Sequence, residues 1–130
     1  MNKKVIKTDK APAALGPYSQ AIVAGGMVYS AGQIGIDPAT GKLAGDDVEI
    51  QGRQALKNLE EVLVSAGVSF TDVVKSTIYL ADLNDFAKIN NIYQEKFADN
   101  PPARSTVEVS ALPLGALVEI DMIAALPVGR

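Results

Sequence analysis

The feature that most constrains this fold is the way two helical patterns alternate with β-prone segments. Apolar side chains recur at three- and four-residue spacing in residues 46–66 and again in 83–98, so each segment is predicted to form an amphipathic helix. Residues 72–80 lie between them, are rich in β-branched side chains and are predicted to form a strand. Strands that are joined through helices imply at least one parallel pair in the sheet.

The rest of the chain supplies further strands and the turns between them. Gly25 and Gly26 separate two β-prone runs, which indicates a tight hairpin because both glycines can adopt a positive φ. The segment 37–41 is predicted to be a second turn, since Pro38 fixes φ and the glycine at its end tolerates the left-handed region. The other predicted strands are 3–7, 20–24, 27–31, 104–110 and 117–125.

The order β-β-β-α-β-α-β-β indicates an α+β fold, with a mixed sheet that carries both helices on one face. The other face of the sheet would then be bare, although the strands 72–80 and 117–125 are strongly apolar. We therefore expect that face to pack against another copy of the chain in a homo-oligomer. The length of 130 residues suits a single domain that spans 1–130.

The residue types that the sequence lacks narrow its chemistry. There is no Cys and no His, which excludes a thiolate nucleophile, a Ser–His or Cys–His triad and a metal site built on those ligands. No phosphate-binding fingerprint occurs either. We therefore expect no metal and no cofactor, and catalysis would rest on carboxylates, Tyr, Lys, Arg, hydroxyls, the backbone or bound water.

Charge and hydropathy exclude two further kinds of partner. Twelve basic residues against fifteen acidic ones give a net charge of −3 and a pI near 4.8, whereas nucleic-acid binding usually needs a basic face. No segment resembles the apolar core of a signal peptide or a membrane span. We expect a cytoplasmic protein that binds neither nucleic acid nor membrane.

One of the three arginines lies at the start of a predicted strand. Arg104 follows a Pro-Pro-Ala segment, and a guanidinium on a rigid strand end suits a bidentate grip on a carboxylate or a phosphate. Arg53 lies in the first predicted helix, four residues after Glu49, where a surface ion pair explains it. Arg130 is the last residue of the chain. The alternative for Arg104 is a structural salt bridge, and its candidate partners are Glu108, Glu119 and Asp121.

Glu119 is the second candidate, because it lies between two aliphatic residues in the most apolar predicted strand. A carboxylate in that position needs a partner, since burying it unpaired is costly. It could form an ion pair with Arg104, orient a water molecule, or act as a general base with a raised pKa. Asp121 lies on the same strand face and has the same alternatives.

Weaker candidates come from loops and from the second helix. Tyr18 follows a Gly-Pro pair in a constrained loop, where its phenol could reach a cleft or simply pack. Asn90 shares a helix face with Phe86 and Tyr93, so it could form a bridging hydrogen bond or contact a ligand. The small residues of segment 30–35 end a strand, where a ligand could approach backbone N–H groups.

Five stretches of this sequence together resemble the RidA (YjgF) family. They are residues 14–21 (ALGPYSQA), 29–34 (YSAGQI), 102–109 (PARSTVEV), the Leu-Pro at 112–113 and the Val-Glu-Ile at 118–120. The resemblance covers nearly the whole chain, and the C-terminal combination of motifs is highly specific. The chain is accordingly identified as a member of that family.

The resemblance implies a six-stranded mixed sheet backed by two helices, similar to one class of chorismate mutase. It also implies a homotrimer whose sheets form a central barrel, with a cleft between subunits. The activity that it implies is hydrolysis of reactive enamines and imines, such as 2-aminoacrylate and 2-aminocrotonate, to 2-oxo acids and ammonia. Pyridoxal-phosphate-dependent dehydratases release these intermediates, and their removal limits damage to pyridoxal-phosphate enzymes.

Three residues receive catalytic roles from this resemblance. Arg104 corresponds to the arginine that binds the substrate carboxylate, Glu119 to the glutamate that places or activates water, and Tyr18 to a tyrosine of the cleft. The chemistry is feasible without His or metal, because the free enamine is already unstable in water. Positioning and modest proton transfer are the main requirements.

Four more residues correspond to substrate-binding positions of the family. Gly32 and Asn90 match residues near the site. Ala31 stands where many members have Ser, and Thr106 stands where many have Cys, so we expect these two positions to alter substrate preference more than reaction type. Two other functions remain as alternatives: a trimer that binds carboxylate ligands or acts as a chaperone without turnover, and a ribonuclease that inhibits translation.

Overall fold

The fold is described here from a computed structural model for residues 2–127, and Arg130 lies outside the described residues. Within residues 2–127, no helix is both long enough and apolar enough to cross a membrane. The strands are β1 Lys4–Ile6, β2 Ala21–Ala24, β3 Met27–Ser30, β4 Gln33–Ile34, β5 Ile36–Asp37, β6 Lys42–Leu43, β7 Val73–Leu80, β8 Ala103–Glu108 and β9 Val118–Ala125. The α-helices are α1 Val48–Ser65 and α2 Phe86–Phe97, and short 3₁₀ turns cover Phe70–Asp72, Leu83–Asp85 and Pro113–Gly115.

One mixed sheet contains most of these strands. Its order is β1-β2-β3-β9-β7-β8, and β4 pairs with β9 beyond the end of β3. β7 and β8 are parallel, which confirms the parallel pair predicted from their connection through a helix. The other pairs in this sheet are antiparallel, and β5 and β6 form a separate hairpin.

The sheet contains one short strand more than the predicted six. The predicted strand 27–31 ends at Ser30, and the chain then resumes as β4, where Ile34 pairs with Glu119 of β9. A strand of two residues is too short to produce a periodic pattern in the sequence, which is why β4 was not predicted. The break between β3 and β4 contributes to the site described below.

Both predicted turns are confirmed. Gly25 and Gly26 adopt φ values of 59° and 77° between β2 and β3, as a tight hairpin requires. At the second turn, the N–H of Gly41 donates to the carbonyl of Asp37 at 2.8 Å, and Gly41 has a φ of 74°.

The two α-helices differ in how they begin, and they approach each other closely. Asp47 caps α1, since its Oδ1 accepts a hydrogen bond from the N–H of Ile50 at 2.8 Å. The second predicted helix begins later than expected, at residue 86, because the three residues before it form a 3₁₀ turn. Gly52, a poor helix former, has a packing explanation: a β-carbon there would come within 2.8 Å of Cδ1 of Ile89 on α2.

The helices cover one face of the sheet, and the core lies between them. β9 shows the two faces most clearly, because its side chains alternate between buried and partly exposed along its whole length. The bare face carries Tyr29 and Val107, whose side chains are 46% and 41% exposed. The uncovered, partly apolar face predicted from the sequence is therefore present in the single chain. The buried residues of β9 are Val118, Ile120, Met122 and Ala124.

Candidate functional site

The predicted site residues form two groups on opposite faces of the sheet. We name them after the charged residue that each contains. The Glu119 cluster consists of Tyr18, Ala31, Gly32 and Glu119. The Arg104 cluster consists of Arg104, Asn90 and Thr106, together with the rings of Phe86 and Tyr93.

Strand pairing determines on which face each side chain lies. In the parallel pair, Arg104 stands beside Ser76, which is fully buried on the face that the helices cover, and Thr106 shares this face. Glu119 stands beside Tyr79, which is three residues after Ser76 on the same strand. Because successive side chains of a strand point to opposite faces, Glu119 lies on the bare face. The two clusters of one chain therefore lie on opposite sides of the sheet.

The Glu119 cluster lines an open cleft of about 750 Å³. Glu119 enters it from β9, Tyr18 from the loop before β2, and Ala31 and Gly32 from the break between β3 and β4. Among the described residues that line this cleft, Glu119 is the single charged one. The cleft of one chain thus offers a carboxylate for proton transfer but no cation to bind an anionic substrate.

Gly32 makes room for the Glu119 side chain. A β-carbon at Gly32 would overlap the Glu119 carboxylate, so any larger residue there would displace that group. The neighbouring N–H of Ala31 donates to the carbonyl of Gln20 at 2.9 Å and is already engaged within the chain. Position 32 therefore requires glycine because a larger residue would push the Glu119 carboxylate out of place. The run of small residues in the sequence did not predict this contact.

The surroundings of Glu119 favour its protonated form. Burial raises the pKa of the Glu119 carboxyl, and the negative charge of Asp121 on the same strand face raises it further. Asp121 accepts a hydrogen bond from the hydroxyl of Tyr79 at 2.9 Å. Among the described residues of one chain neither carboxylate forms an ion pair, so the predicted ion pair of Glu119 or Asp121 is absent within the chain. A carboxyl with a raised pKa suits general acid–base catalysis.

Gln20 fixes the loop that carries Tyr18, and the sequence reasoning missed it. The buried side-chain amide of Gln20 donates to the carbonyls of Thr8 and Pro12 at 3.0 and 2.8 Å, and its oxygen accepts from the N–H of Thr8 at 2.7 Å. The Tyr18 hydroxyl accepts from the N–H of Leu15 at 3.3 Å and remains about half exposed. The signal that could have identified Gln20 is its place at the end of the 14–21 motif, directly before an apolar strand.

Arg104 lies near the start of β8 and is held by side chains of α2. One terminal nitrogen of its guanidinium donates to Oδ1 of Asn90 at 2.7 Å. The guanidinium carbon lies 5.4 Å from the ring centroid of Phe86 and 5.0 Å from that of Tyr93. Because positions 86, 90 and 93 are spaced by four and three residues, they share one helix face. The hydrogen bond predicted for Asn90 is present, and its partner is Arg104.

The predicted salt bridges of Arg104 are wrong. Glu108, which shares its strand face, instead accepts a hydrogen bond at 2.8 Å from a backbone N–H of the 3₁₀ turn before α2. Glu119 and Asp121 belong to the other face of the sheet. In the described part of the chain, Arg104 therefore has no carboxylate partner, and most of its N–H groups remain available to a ligand.

Arg53 does form the surface ion pair that its position suggested, but with another helix. Its guanidinium lies 2.7 Å from the Glu95 carboxylate on α2, and both side chains are about half exposed. Sequence spacing favoured Glu49, one turn earlier on α1. Packing of α1 against α2 brings Glu95 closer, and only the tertiary structure contains that information.

Thr106 has a hydroxyl without a partner. Its Oγ1 is buried and is the one such side-chain atom among the described residues that lacks a hydrogen bond. A buried polar atom that is left unsatisfied costs roughly 1–3 kcal/mol. The position of Thr106, two residues after Arg104 on the same face, therefore favours a polar ligand atom or a water molecule at this place. In residues 2–127 no group of three or more acidic side chains is arranged to hold a metal ion.

Comparison with known proteins decides the family. The chain matches the family described as Endoribonuclease L-PSP over residues 8–126. It belongs to this family. A 2-iminobutanoate/2-iminopropanoate deaminase of Rattus norvegicus is 52% identical over 122 residues, which are 94% of this chain and 89% of the rat protein. The family is the RidA (YjgF) family that the motifs indicated, so that prediction is confirmed.

Solved structures of the Rid family confirm the α+β fold with a mixed sheet and two helices. A Rid-family protein of Yersinia pestis superposes with a TM-score of 0.94 at 52% identity, over 96% of this chain and 100% of that one. TdcF of E. coli, solved with bound serine, superposes with a TM-score of 0.91 at 42% identity, over 95% and 99% of the two chains. Two residues of this Rid-family chain differ from those that many members of the family have at these positions. Ala31 lies in the Glu119 cluster, and Thr106 lies in the Arg104 cluster.

Proposed function

We propose that this protein hydrolyses 2-imino acids and their enamine tautomers, such as 2-aminoacrylate and 2-aminocrotonate, to 2-oxo acids and ammonia. The observation that carries the proposal is the guanidinium of Arg104, which is fixed by α2 and has no carboxylate partner within the described residues. A small substrate with one carboxylate is what such a group recognises well. The deaminase names of relatives that are about half identical favour the same chemistry.

The two clusters would act together across a subunit interface. Among the described residues, the Glu119 cleft of one chain contains no cation, and Arg104 lies on the other side of the sheet. We infer a homotrimer whose bare sheet faces form a central barrel, with the Arg104 cluster of one protomer meeting the Glu119 cluster of its neighbour. The exposed side chains of Tyr29 and Val107 support burial of that face. Light scattering should give about three times the chain mass of 13.6 kDa.

Each cluster would have its own part in the reaction. The enamine gains a proton on carbon from solvent and becomes an iminium ion, whose carboxylate Arg104 binds. Water then adds to the iminium carbon, forming a C–O bond while Glu119 takes a proton from the water. Glu119 returns this proton to the amino group of the carbinolamine, ammonia leaves as the C–N bond breaks, and the hydroxyl group loses its proton to solvent as the carbonyl forms. The raised pKa of Glu119 suits accepting and returning that proton, and Tyr18, which lines the same cleft, would donate or accept a hydrogen bond through its hydroxyl.

The remaining predicted site residues would shape recognition. Thr106 offers its unpaired hydroxyl beside Arg104, and Asn90 orients the guanidinium. Ala31 and Gly32 border the cleft and would set how much space remains beside Glu119. The substrates would come from pyridoxal-phosphate-dependent dehydratases that act on serine or threonine, so the protein would limit damage to pyridoxal-phosphate enzymes.

A turnover assay with mixed subunits tests both the reaction and the shared site. A serine dehydratase generates 2-aminoacrylate, and its decay is followed with and without the protein. At substrate concentrations well below KM, Arg104→Ala and Glu119→Ala should each lose nearly all activity when assayed alone. When the two variants are unfolded and refolded as a 1:1 mixture, about three quarters of the trimers contain both variants, and each of these has one intact interface out of three. About one quarter of wild-type activity should therefore return. No acceleration by the wild-type protein would refute the deaminase proposal, and no recovery on mixing would refute the shared site.

The family description as an endoribonuclease favours a second candidate function, cleavage of RNA. The sequence has no His to act as a general acid or base and carries a net charge of −3, which opposes RNA binding. Incubation with a single-stranded RNA at low and moderate salt separates the two proposals. Salt-dependent binding and cleavage that Arg104→Ala abolishes would support the nuclease, whereas intact RNA would remove it.

A further inference from the structure

We propose that Phe86 and Tyr93 are positioning residues that hold the Arg104 guanidinium against their rings, so that α2 sets the affinity of the site for the substrate carboxylate. The inference rests on the proposed function and deepens it. The sequence pattern placed these two aromatic side chains only in the apolar stripe of a helix, and the proposal gives them an additional role. The support comes from three contacts of Arg104 and from the way in which each ring is itself fixed.

Phe86, Tyr93 and Asn90 together hold the guanidinium of Arg104, and we call these three side chains the clamp. The two rings lie against the guanidinium, and Asn90 accepts a hydrogen bond from it. The guanidinium carbon lies within about 6 Å of both ring centroids, the range in which a cation is attracted to an aromatic face. Asn90 accepts from one terminal nitrogen and thereby restricts rotation of the guanidinium. A guanidinium has five N–H donors, so several remain for a carboxylate after Asn90 has taken one.

Tyr93 is the rigid part of this clamp. It is only 6% exposed, its hydroxyl donates to Oγ of Ser76 at 2.8 Å, and its ring stacks on Phe97 with centroids 4.5 Å apart. Ser76 is the β7 residue that stands beside Arg104 in the parallel pair. The ring under Arg104 is therefore tied to the strand next to Arg104. Burial raises the pKa of the Tyr93 phenol, so the hydroxyl keeps the proton that it donates.

Phe86 is the exposed part of the clamp. It is the first residue of α2 and is 40% exposed, whereas Tyr93 and Phe97 of the same helix are buried. Its contact with Arg104 accounts for this position, since the ring covers part of the guanidinium that solvent would otherwise surround. A cation that is partly desolvated interacts more strongly with an aromatic ring.

The clamp would act on substrate binding more than on the chemical step. The substrate keeps its carboxylate throughout the reaction, so the contact with Arg104 is similar in the bound substrate and in the transition state. Loss of such a contact raises KM and leaves kcat nearly unchanged. A residue that only stabilised the fold would instead lower the melting temperature without changing KM.

The experiment compares variants of both rings with a matched control. Phe86→Leu and Tyr93→Leu should raise KM for 2-aminoacrylate by about five- to tenfold with kcat within about twofold of wild type. Phe86→Tyr, which keeps the ring, should have a KM near the wild-type value. Tyr93→Phe, which keeps the ring but loses the hydrogen bond to Ser76, should raise KM by less than Tyr93→Leu. The control is Phe70→Leu, because the ring of Phe70 packs on Phe97 with centroids 4.9 Å apart and is not one of the two rings that face Arg104. This variant should lower the melting temperature but leave KM unchanged.

A second measurement separates failure of the clamp from failure of the proposed function. The side-chain Nε–H signal of Arg104 is followed by NMR, and affinity for propanoate, a carboxylate that does not react, is measured by calorimetry. Phe86→Leu should shift the Arg104 signal, which then lacks the ring current, and weaken propanoate binding by about fivefold or more. If the wild-type protein showed these properties but did not turn over 2-aminoacrylate, the clamp would stand and the proposed activity would fall. If the folded leucine variants kept the wild-type KM, propanoate affinity and Arg104 signal, the clamp proposal would be overturned.

Discussion

The Arg104 cluster and the Glu119 cluster differ in the parts of the fold that build them. Arg104 lies in a strand, and its contacts come from one face of α2, so regular structure fixes every member. Glu119 also lies in a strand, but Tyr18 and Gly32 reach it from a loop and from a strand break. Arg104, the proposed carboxylate-binding group, is therefore held by regular structure, whereas the surroundings of Glu119 depend on loops that other contacts must position.

This difference indicates where substitutions would have separate effects. Contacts that a helix and a strand define can be removed one at a time, because backbone hydrogen bonds hold the rest in place. The Tyr18 loop is instead held by one buried side chain, that of Gln20. Under the proposed function, the substrate carboxylate would be recognised by residues on a strand and a helix, and the variable part of the substrate would meet residues on loops.

The largest effect is expected at Arg104. Arg104→Ala should lower kcat/KM by about 100-fold or more, since a hydrogen bond to a charged group contributes roughly 1.5–3 kcal/mol and two are lost. Arg104→Lys should recover only part of the activity, because an ammonium cannot reproduce the bidentate geometry. Steady-state kinetics and thermal melting of the same preparations provide the measurement, and the melting temperature of Arg104→Ala should remain near that of wild type because no ion pair is lost.

Arg53→Ala is the matched control for this comparison. It removes an arginine that also contacts α2, through Glu95, but on the solvent-exposed side. Its turnover should equal that of wild type, since exposed ion pairs contribute little. Wild-type turnover in a folded Arg104→Ala variant would contradict the role of Arg104.

An intermediate effect is expected at the strand break of the other cluster. Gly32→Ala should lower kcat by about tenfold or more, because the added methyl group displaces the Glu119 carboxylate. The measurement is a double-mutant cycle with Glu119→Ala. In the Glu119→Ala background the additional change at Gly32 should have no further effect, and an equal loss in both backgrounds would show that Gly32 acts through something other than Glu119.

A smaller effect is expected in the pH dependence of stability. Burial and Asp121 raise the pKa of Glu119 above its usual 4.5, so the folded chain binds this proton more tightly than the unfolded chain does. The stability that this contributes is present below the unfolded pKa and is lost as pH rises through the raised folded pKa. Glu119→Gln should therefore melt close to wild type at pH 4 and above it at pH 7.

Asp121→Asn sharpens this test, because it removes the charge that adds to the shift but leaves burial unchanged. At pH 7, Glu119→Gln should raise the melting temperature by less in the Asp121→Asn protein than in the wild-type protein. A difference in melting temperature between Glu119→Gln and wild type that does not change between pH 4 and pH 7 would be inconsistent with a raised pKa at Glu119.

Removal of metal ions is expected to have no effect on turnover. The sequence contains no His and no Cys, and the chemistry proposed for both clusters uses only a guanidinium, a carboxyl group and hydroxyls. Dialysis against a strong chelator should leave the turnover of 2-aminoacrylate unchanged. A large loss that added metal restores would show that one of the clusters has been misread.

Local patterns in the sequence predicted the elements well and their contacts poorly. The helical stripes, the Gly-Gly hairpin and the crossover through a helix specified both helices, the first hairpin and the parallel pair. The same patterns paired Arg53 with the wrong residue and offered Arg104 three acidic partners, none of which it contacts. They also did not reveal β4 or the role of Gln20, because neither depends on a periodic pattern.

The sequence by itself determined which residues could perform the chemistry, because the absence of His and Cys and the single arginine in a predicted strand are properties of composition and local position. It also determined the order of helices and strands, since hydrophobic periodicity acts over a few residues. Only the tertiary structure decided that Arg104 rests on α2, that Glu119 occupies the opposite face, and that Gly32 leaves room for its carboxylate. These facts depend on strand register and on how a helix lies across a sheet, which arise from packing between segments that are distant in the chain and leave no local pattern.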